Sequence, residues 1–498
     1  MTDVLLGVDL GTGSSKAVLT TTDGTIVSTA VRSRPGSMLM PRPGWAEMDA
    51  EHVWWADVAA LCRELADVAA SRGDHIAAVC VSGMGPCLLL TTADGTPVRP
   101  AILYGIDSRA GAEIDELDER LGREAVLART GTPMTSQAVG PKALWVRRQE
   151  PEVWARAERW FTSSSYAAFR LTGEYVIDHH SASQCVPLYD IRAADWYEPW
   201  YAEVMGEMPA PRLSWSSEVV GLVTTAASER TGLPVGTPVC AGTVDAWAEA
   251  VSGGVRRPGD LMLMYGSTMF FVQELAALAP HPQLWNTRGV APSSLCLAAG
   301  MSTSGSLTSW VQELVGGVPF ETLVAEAALV PPGSDGLLLL PYFAGERTPI
   351  FDPDARGVVA GLTLNHRRGH LFRAVYEGIA FGVRQILELL DTPANPVRRI
   401  VAVGGGTQGG LWTQVVSDVT GRTQHVPAQT IGASYGDALM AAVGVGLVPS
   451  ETDWAQAGST VTPEAAHREV YDEMYGLYTS LYGASRAEVH ALARLQGH

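Results

Sequence analysis

The sequence predicts an α/β protein of two domains built on a duplicated strand–turn–strand unit. Three observations predict it. At 498 residues the chain exceeds the size at which a single hydrophobic core stops growing. The stretch Val4-Leu5-Leu6-Gly7-Val8-Asp9-Leu10-Gly11-Thr12-Gly13-Ser14-Ser15-Lys16-Ala17-Val18-Leu19 is an apolar run ending in an aspartate, a turn of glycines and hydroxyls, and a second apolar run. Leu261-Met262-Leu263-Met264-Tyr265-Gly266-Ser267-Thr268-Met269-Phe270-Phe271 repeats that scheme in the second half. Two such turns suggest one polyphosphate clamped from both sides.

The chemistry of the first turn supports this reading. Glycine lets backbone N–H groups approach phosphate oxygens, Thr12 and Ser14 add hydroxyl donors, and Asp9 can reach a phosphate-bound Mg²⁺. A tight surface turn is the plain alternative. Neither common nucleotide motif fits: Lys16 stands where the dinucleotide pattern needs its third glycine, and the spacing before Gly-Lys of a P-loop is absent. Of 35 basic residues only Lys16 and Lys142 are lysine, and Lys16 falls in this turn, as a phosphate partner or as an exposed strand lysine.

Composition removes several function classes. A net charge of −18 argues against a nucleic-acid partner, which calls for a basic face. No run approaches the ~20 apolar residues needed to span a bilayer. With Asp3 and Asp9 inside the first apolar stretch and no basic leader, the expectation is a cytoplasmic protein. The six cysteines form no CxxC pair and read as reduced core residues.

Taken in order, Asp23-Gly24 extends the first hairpin into a meander over 4–31. A helix over 50–71 carries Trp54, Val58, Leu61, Leu65 and Val68 on one face. Ile76–Ser82 is a buried strand ending in the loop Gly83-Met84-Gly85-Pro86, and ligands favour such strand edges. Strands over 88–92 and 98–104 follow, and a helix starts at Gly105-Ile106-Asp107-Ser108-Arg109. After a helix-rich span over 111–230, a strand over 236–244 meets a helix at Asp245, placed to face a cleft or simply to cap the helix. The chain changes domain near Gly253-Gly254 and Pro258-Gly259. In the second half, the strand 400–403 runs into Gly404-Gly405-Gly406-Thr407-Gln408, a backbone able to lie flat against a ring or a phosphate, or to pack a helix closely. A helix over 370–390 and a C-terminal helical face with Tyr471, Met474, Tyr478 and Tyr482 complete the core.

These residues resemble the FGGY family of carbohydrate kinases, within the actin/hexokinase/Hsp70-like ATPase superfamily, over nearly the whole chain. Asp9-Leu-Gly-Thr12-Gly-Ser14-Ser-Lys16 is similar to its first phosphate motif, Gly266-Ser267-Thr268 to its second, and Val403-Gly404-Gly405-Gly406 to its adenosine motif. Gly357-Val-Val-Ala-Gly361-Leu followed by His370-Leu-Phe-Arg-Ala374-Val-Tyr-Glu377 fits its C-terminal signature. Smaller matches are Pro43-Gly-Trp45, Lys142-Ala-Leu-Trp145, Asp178 before Ser181-Ala-Ser183, and Gly345-Glu-Arg-Thr-Pro349.

The resemblance implies two RNase H-like domains hinged about a cleft, 1–250 on the sugar side and 251–498, with the C-terminal helices, on the ATP side. It implies ATP and Mg²⁺ as cofactors, Asp245 as catalytic base and Asp9 as the catalytic residue orienting the metal. Nucleotide contacts fall on Gly11, Thr12, Gly13, Ser14, Lys16, Gly266, Ser267, Thr268, Gly305, Trp310, Gly404, Gly405, Gly406 and Gln408. A small-molecule sugar is the expected partner, with neither nucleic acid nor membrane, and a homodimer is the family-based expectation.

The pattern is most similar to the family's xylulokinase subgroup, so D-xylulose is the leading substrate. The sugar loop departs from that subgroup. Ser82-Gly83-Met84-Gly85-Pro86-Cys87 lacks its histidine, and Tyr104-Gly-Ile-Asp107-Ser-Arg109 replaces its Trp-Asn-Asp-x-Arg with one extra residue. Met84, Tyr104, Asp107, Arg109 and Asp245 are therefore the substrate-side candidates, the alternative for the loop being an internal Asp–Arg pair. Other ketopentoses, pentitols and, less favoured, glycerol stay open, as does a nucleotide-switched sugar-binding protein. Gly409 stands where the family often has Ser or Asn, which removes one side-chain contact to the nucleotide.

Overall fold

The computed structural model describes residues 2–429 and 431–496. Contacts divide them into two compact units. The first contains the chain up to Gly254 together with Leu278–Cys296 and Ile431–Trp454; the second contains Val255–Ala277, Leu297 to 429, and Ala455 onward. The division is therefore not one cut at 250, because two later segments pack with the first unit.

In the first unit, strand β1 (Asp3–Leu10) alternates two sets of side chains. Val4, Leu6, Val8 and Leu10 join a core with Trp54, Val58, Leu61 and Leu65, the last three on helix α1 (Ala56–Arg72). Leu5 faces the other way, into a core made with the helix Ala433–Gly444 and its Ala438, Leu439 and Ala441. Gly7 shares that second face, where a Cβ would lie 1.9 Å from the Ser434 carbonyl, so its missing side chain lets the helix sit on the strand. Asp9, next on this face, points toward the same helical layer.

The predicted meander forms: β1 pairs antiparallel with β2 (Ser14–Thr21), and β2 with β3 (Ile26–Ser33). Strand β4 (His75–Gly83) runs parallel on the other side of β1. The strand expected over 236–244 is broken. Pro238–Cys240 and β5 (Thr243–Val244) each pair parallel with β4, and the chain jogs between them at Gly242, with φ of +76°. A Cβ there would also sit 1.9 Å from the Val81 carbonyl oxygen. Gly242→Ala is thus expected to destabilise the first unit by about 2 kcal/mol, seen as a lowered Tm. An unchanged Tm would contradict this account of the turn.

The second unit repeats the arrangement. Strand β6 (Asp260–Tyr265) pairs antiparallel with β7 (Met269–Leu275) and parallel with β8 (Arg399–Val403), as β1 does with β2 and β4. Helix α3 (Gly305–Leu314) follows the strand that ends at Met301, and α4 (Arg368–Leu390) supplies the long buried helix. The C-terminal helix α5 (Arg468–Leu495) buries Tyr471, Met474 and Tyr478. Its hydroxyls are satisfied: Tyr471 donates to Glu377, Tyr482 to Asp352, and Tyr478 bonds Tyr342. All six cysteines are buried, and none forms a disulfide among the described residues. Among the described residues no helix is long and apolar enough to cross a membrane.

The helix expected from Gly105 begins only at Gly111. Residues 104–109 instead form a turn closed by Asp107, whose N–H donates to the Tyr104 carbonyl and whose carboxylate accepts from the Ala46 N–H at 2.7 Å. A side chain that satisfies backbone donors in this way competes with helix formation.

Candidate active site

The register of the first sheet brings the predicted acidic residues together. Asp9 on β1 and Thr243 on β5 both pair with Ser82 on β4, so they flank one residue on adjacent strands. Lys16 lies opposite Asp9 across the hairpin and is exposed. Two residues beyond Thr243, Asp245 opens helix α2 (Asp245–Ser252), where its carboxylate accepts from the Ala246 N–H at 2.7 Å. A carboxylate in a first helical turn is favoured by the helix dipole.

Electrostatics mark this group as unusual. Burial pushes the Asp245 carboxyl up to about 6. Burial, then the charges of Asp245 and Glu249, hold Asp9 well above the usual carboxylate range, with Lys16 opposing. Glu249, pushed up to about 7 by burial and by Asp245, is the member that sequence reading missed. It sits four residues beyond Asp245 on the same face of α2, and that spacing was the available signal. Asp9, Asp245 and Glu249 are half-buried beside the exposed Lys16, so three carboxyls with raised pKa values gather next to one lysine.

Mg²⁺ can be tested against these residues. The Oδ1 atom of Asp9 is buried and has no hydrogen-bond partner, as a metal-facing oxygen would be. No cluster of three or more acidic, His or Cys ligands among the described residues is arranged to hold a metal alone. Mg²⁺ usually takes one or two carboxylates and completes its shell with waters and substrate phosphates, so Asp9 is the residue that could serve as its protein ligand.

The turn after Asp9 is partly open: Gly13 is exposed, while Gly11, Thr12 and Ser14 are half-buried. The Thr12 hydroxyl bonds the Tyr104 hydroxyl at 2.8 Å, joining the turn 11–14 to the loop 104–109. Met84 is buried; its N–H donates to the Leu10 carbonyl and its own carbonyl accepts from Ser163 Oγ. Asp107 and Arg109 form the internal pair. Arg109 donates to Asp107 through Nε and Nη2 and to Glu47 through Nη1, and its guanidinium lies 4.0 Å from the Trp45 ring centroid and 5.1 Å from that of Trp145. Neither side chain of the pair reaches the surface. They shape the loop, leaving Tyr104 as its half-buried polar face.

In the second unit, the turn Gly266-Ser267-Thr268 rests on the start of α3. The Gly305 N–H donates to the Gly266 carbonyl, and the Ser304 and Ser306 N–H groups donate to the Ser267 carbonyl. Gly305 is required for that approach, since a Cβ would lie 2.6 Å from the Gly266 oxygen. Trp310, 43 % exposed, packs on Phe343 with ring centroids 4.9 Å apart. After β8, Gly404 turns with φ of +92° against the Tyr265 carbonyl, and Gly406 lies against Trp412. Gly405 and Gln408 are exposed. Gly409 has φ of +95° and open space where a Cβ would project.

Comparison with known proteins agrees across the whole length. The model of the N-terminal domain of the FGGY family of carbohydrate kinases matches residues 4–252, and that of the C-terminal domain matches 261–445. The chain is 27% identical over 497 residues to a xylulose kinase of Lactococcus lactis, covering 98% of both. It is 29% identical over 440 residues to a xylulose kinase of Escherichia coli K12, covering 88% of both. The crystal structure of xylulose kinase from Rhodospirillum rubrum superposes with a TM-score of 0.89 at 33% identity, covering 98% of this chain and all of that one.

Proposed function

This chain belongs to the FGGY family of carbohydrate kinases and is an ATP-dependent sugar kinase; from that premise we propose that it phosphorylates a ketopentose, D-xylulose first. The observation that carries the reading is the carboxylate group on the first sheet: Asp9 and Thr243 share Ser82 as neighbour, and Asp245 follows Thr243 at the sheet's edge.

In the proposed reaction Asp245 accepts the proton of a sugar hydroxyl while that oxygen bonds to the γ-phosphorus of ATP. The bond from the γ-phosphorus to the bridging oxygen breaks, and ADP leaves. The turns 11–14 and 266–268 are assigned to the phosphates, with Lys16 adding a compact positive charge. The three glycines 404–406, with Gln408 and Trp310, are assigned to the adenosine. Mg²⁺, with Asp9 as its protein ligand, would neutralise phosphate charge. Tyr104 is assigned to the sugar, with Met84 buried in the core against which Tyr104 packs, and Asp107 and Arg109 fixing the loop that presents Tyr104.

The titration of Asp245 gives a pH test. A raised carboxyl keeps its proton to higher pH, so the basic form is present above about 6 and is lost as pH falls through it. The acid limb of kcat/KM for the sugar is expected near pH 6, and activity that holds unchanged to pH 4.5 would contradict a base whose carboxyl is raised by burial.

Substrate choice follows the loop. Both xylulose kinase relatives support D-xylulose. The sequence 82–87, without the histidine of that subgroup, favours as second reading another ketopentose or a pentitol. ADP release with Mg-ATP across D-xylulose, D-ribulose, L-ribulose, pentitols and glycerol separates them. D-xylulose is expected to have the highest kcat/KM; a pentitol that exceeds it tenfold transfers the assignment.

A further inference from the structure

The match Asp178 before Ser181-Ala-Ser183 acquires no role in the chemistry above, yet it lies against the segment that carries the base. Asp178 is buried and ends a short strand, Val176–Asp178. Its Oδ2 accepts from Thr243 Oγ1 at 2.8 Å and from Ser216 Oγ at 2.9 Å, and its Oδ1 accepts from the Ser181 N–H. Thr243 precedes Asp245 by two residues.

On the other side of the base, the buried His180 ring packs against Trp247, two residues beyond Asp245, with centroids 3.9 Å apart and an interplanar angle of 37°. The imidazole is itself held in one orientation. Its Nδ1–H donates to the Arg288 carbonyl at 2.7 Å, and its Nε2 accepts from the Gln184 amide at 2.6 Å. This pattern needs the neutral ring, and burial lowers the His180 pKa to about 3. Arg288 is anchored in turn, its N–H donating to Ser183 Oγ at 3.0 Å.

We infer that Asp178 and His180 are positioning residues that grip the polypeptide on both sides of Asp245, Asp178 through Thr243 and His180 through Trp247. Neither touches the reacting atoms. They hold the base's turn where Gly242 has already broken the strand, so that α2 starts at a set height above the sheet. A base displaced by about 1 Å loses about 100-fold in rate, which is the scale such a grip protects. The inference rests on the reading of Asp245 as the base.

The test uses the full-length enzyme with Mg-ATP and its best sugar. Thr243→Val keeps shape and removes the hydroxyl; His180→Ala removes the ring. Each is expected to lower kcat about tenfold or more, with KM for ATP and sugar within about twofold of wild type. Thr243→Ser and His180→Phe, which return the hydroxyl and the stacking ring, are expected to recover most of the loss. Tm is measured alongside: a fall in Tm with kcat unchanged would overturn the inference and leave the segment a purely structural role. Asp245→Asn is the control that separates the two readings. If it is inactive while Thr243→Val and His180→Ala turn over normally, the grip is wrong and the base stands; if it keeps full sugar-dependent turnover, the base assignment fails, and the grip with it.

Discussion

Asp245→Asn is expected to lower kcat by about 10²- to 10⁴-fold while leaving the fold intact. The substitution keeps volume and the acceptor for the Ala246 N–H, which the carboxylate now engages at 2.7 Å. What it removes is the group able to take a proton. Because Asp245 stands in the first turn of α2, its neutral replacement forfeits only a small favourable interaction with the helix dipole. A large loss of kcat at nearly constant Tm and KM is therefore the signature. A variant that retained a tenth or more of wild-type turnover would remove Asp245 from the proposed chemistry.

The second large effect is expected at Asp9. Its Oδ1 is buried without a hydrogen-bond partner, and its carboxyl is held high by burial and by Asp245 and Glu249. Such an arrangement costs stability unless a cation answers it. Asp9→Asn removes the charge and relieves that crowding, so Tm is expected to stay level or rise. Activity is expected to move the other way, falling about 10²- to 10³-fold with a higher Mg²⁺ concentration for half-maximal rate. Stability and activity moving together would contradict a functional origin for this strain.

Much of the framework was legible because it depends on local chemistry. The Gly-hydroxyl turns at 11–14 and 266–268 could be read as hairpins, and their repetition pointed to the duplicated topology now seen in β1–β2–β4 and β6–β7–β8. The tyrosine face of α5 followed from helical spacing. What could not be read depends on partners distant in sequence. Segment 431–454 packs with the first unit because the helix Ala433–Gly444 fits over Gly7, and 278–296 does so through hydrogen bonds that Asn286 and Arg288 make with Thr132, His180 and Ser183, contacts invisible to periodicity. The helix expected at 105 was displaced because Asp107 engages Ala46 and Arg109, sixty-one and two residues away. Glu249 was overlooked although it stands four residues from Asp245, because a lone glutamate on an amphipathic helix usually faces water.

The most direct measurement is the stoichiometry of the reaction with purified enzyme, Mg-ATP and D-xylulose, following ADP and a sugar monophosphate in parallel. The account predicts one sugar monophosphate for each ADP, little ADP release without sugar, and loss of both products in Asp245→Asn. ADP formed at the same rate with and without any sugar of the panel, and equally by Asp245→Asn, would contradict it.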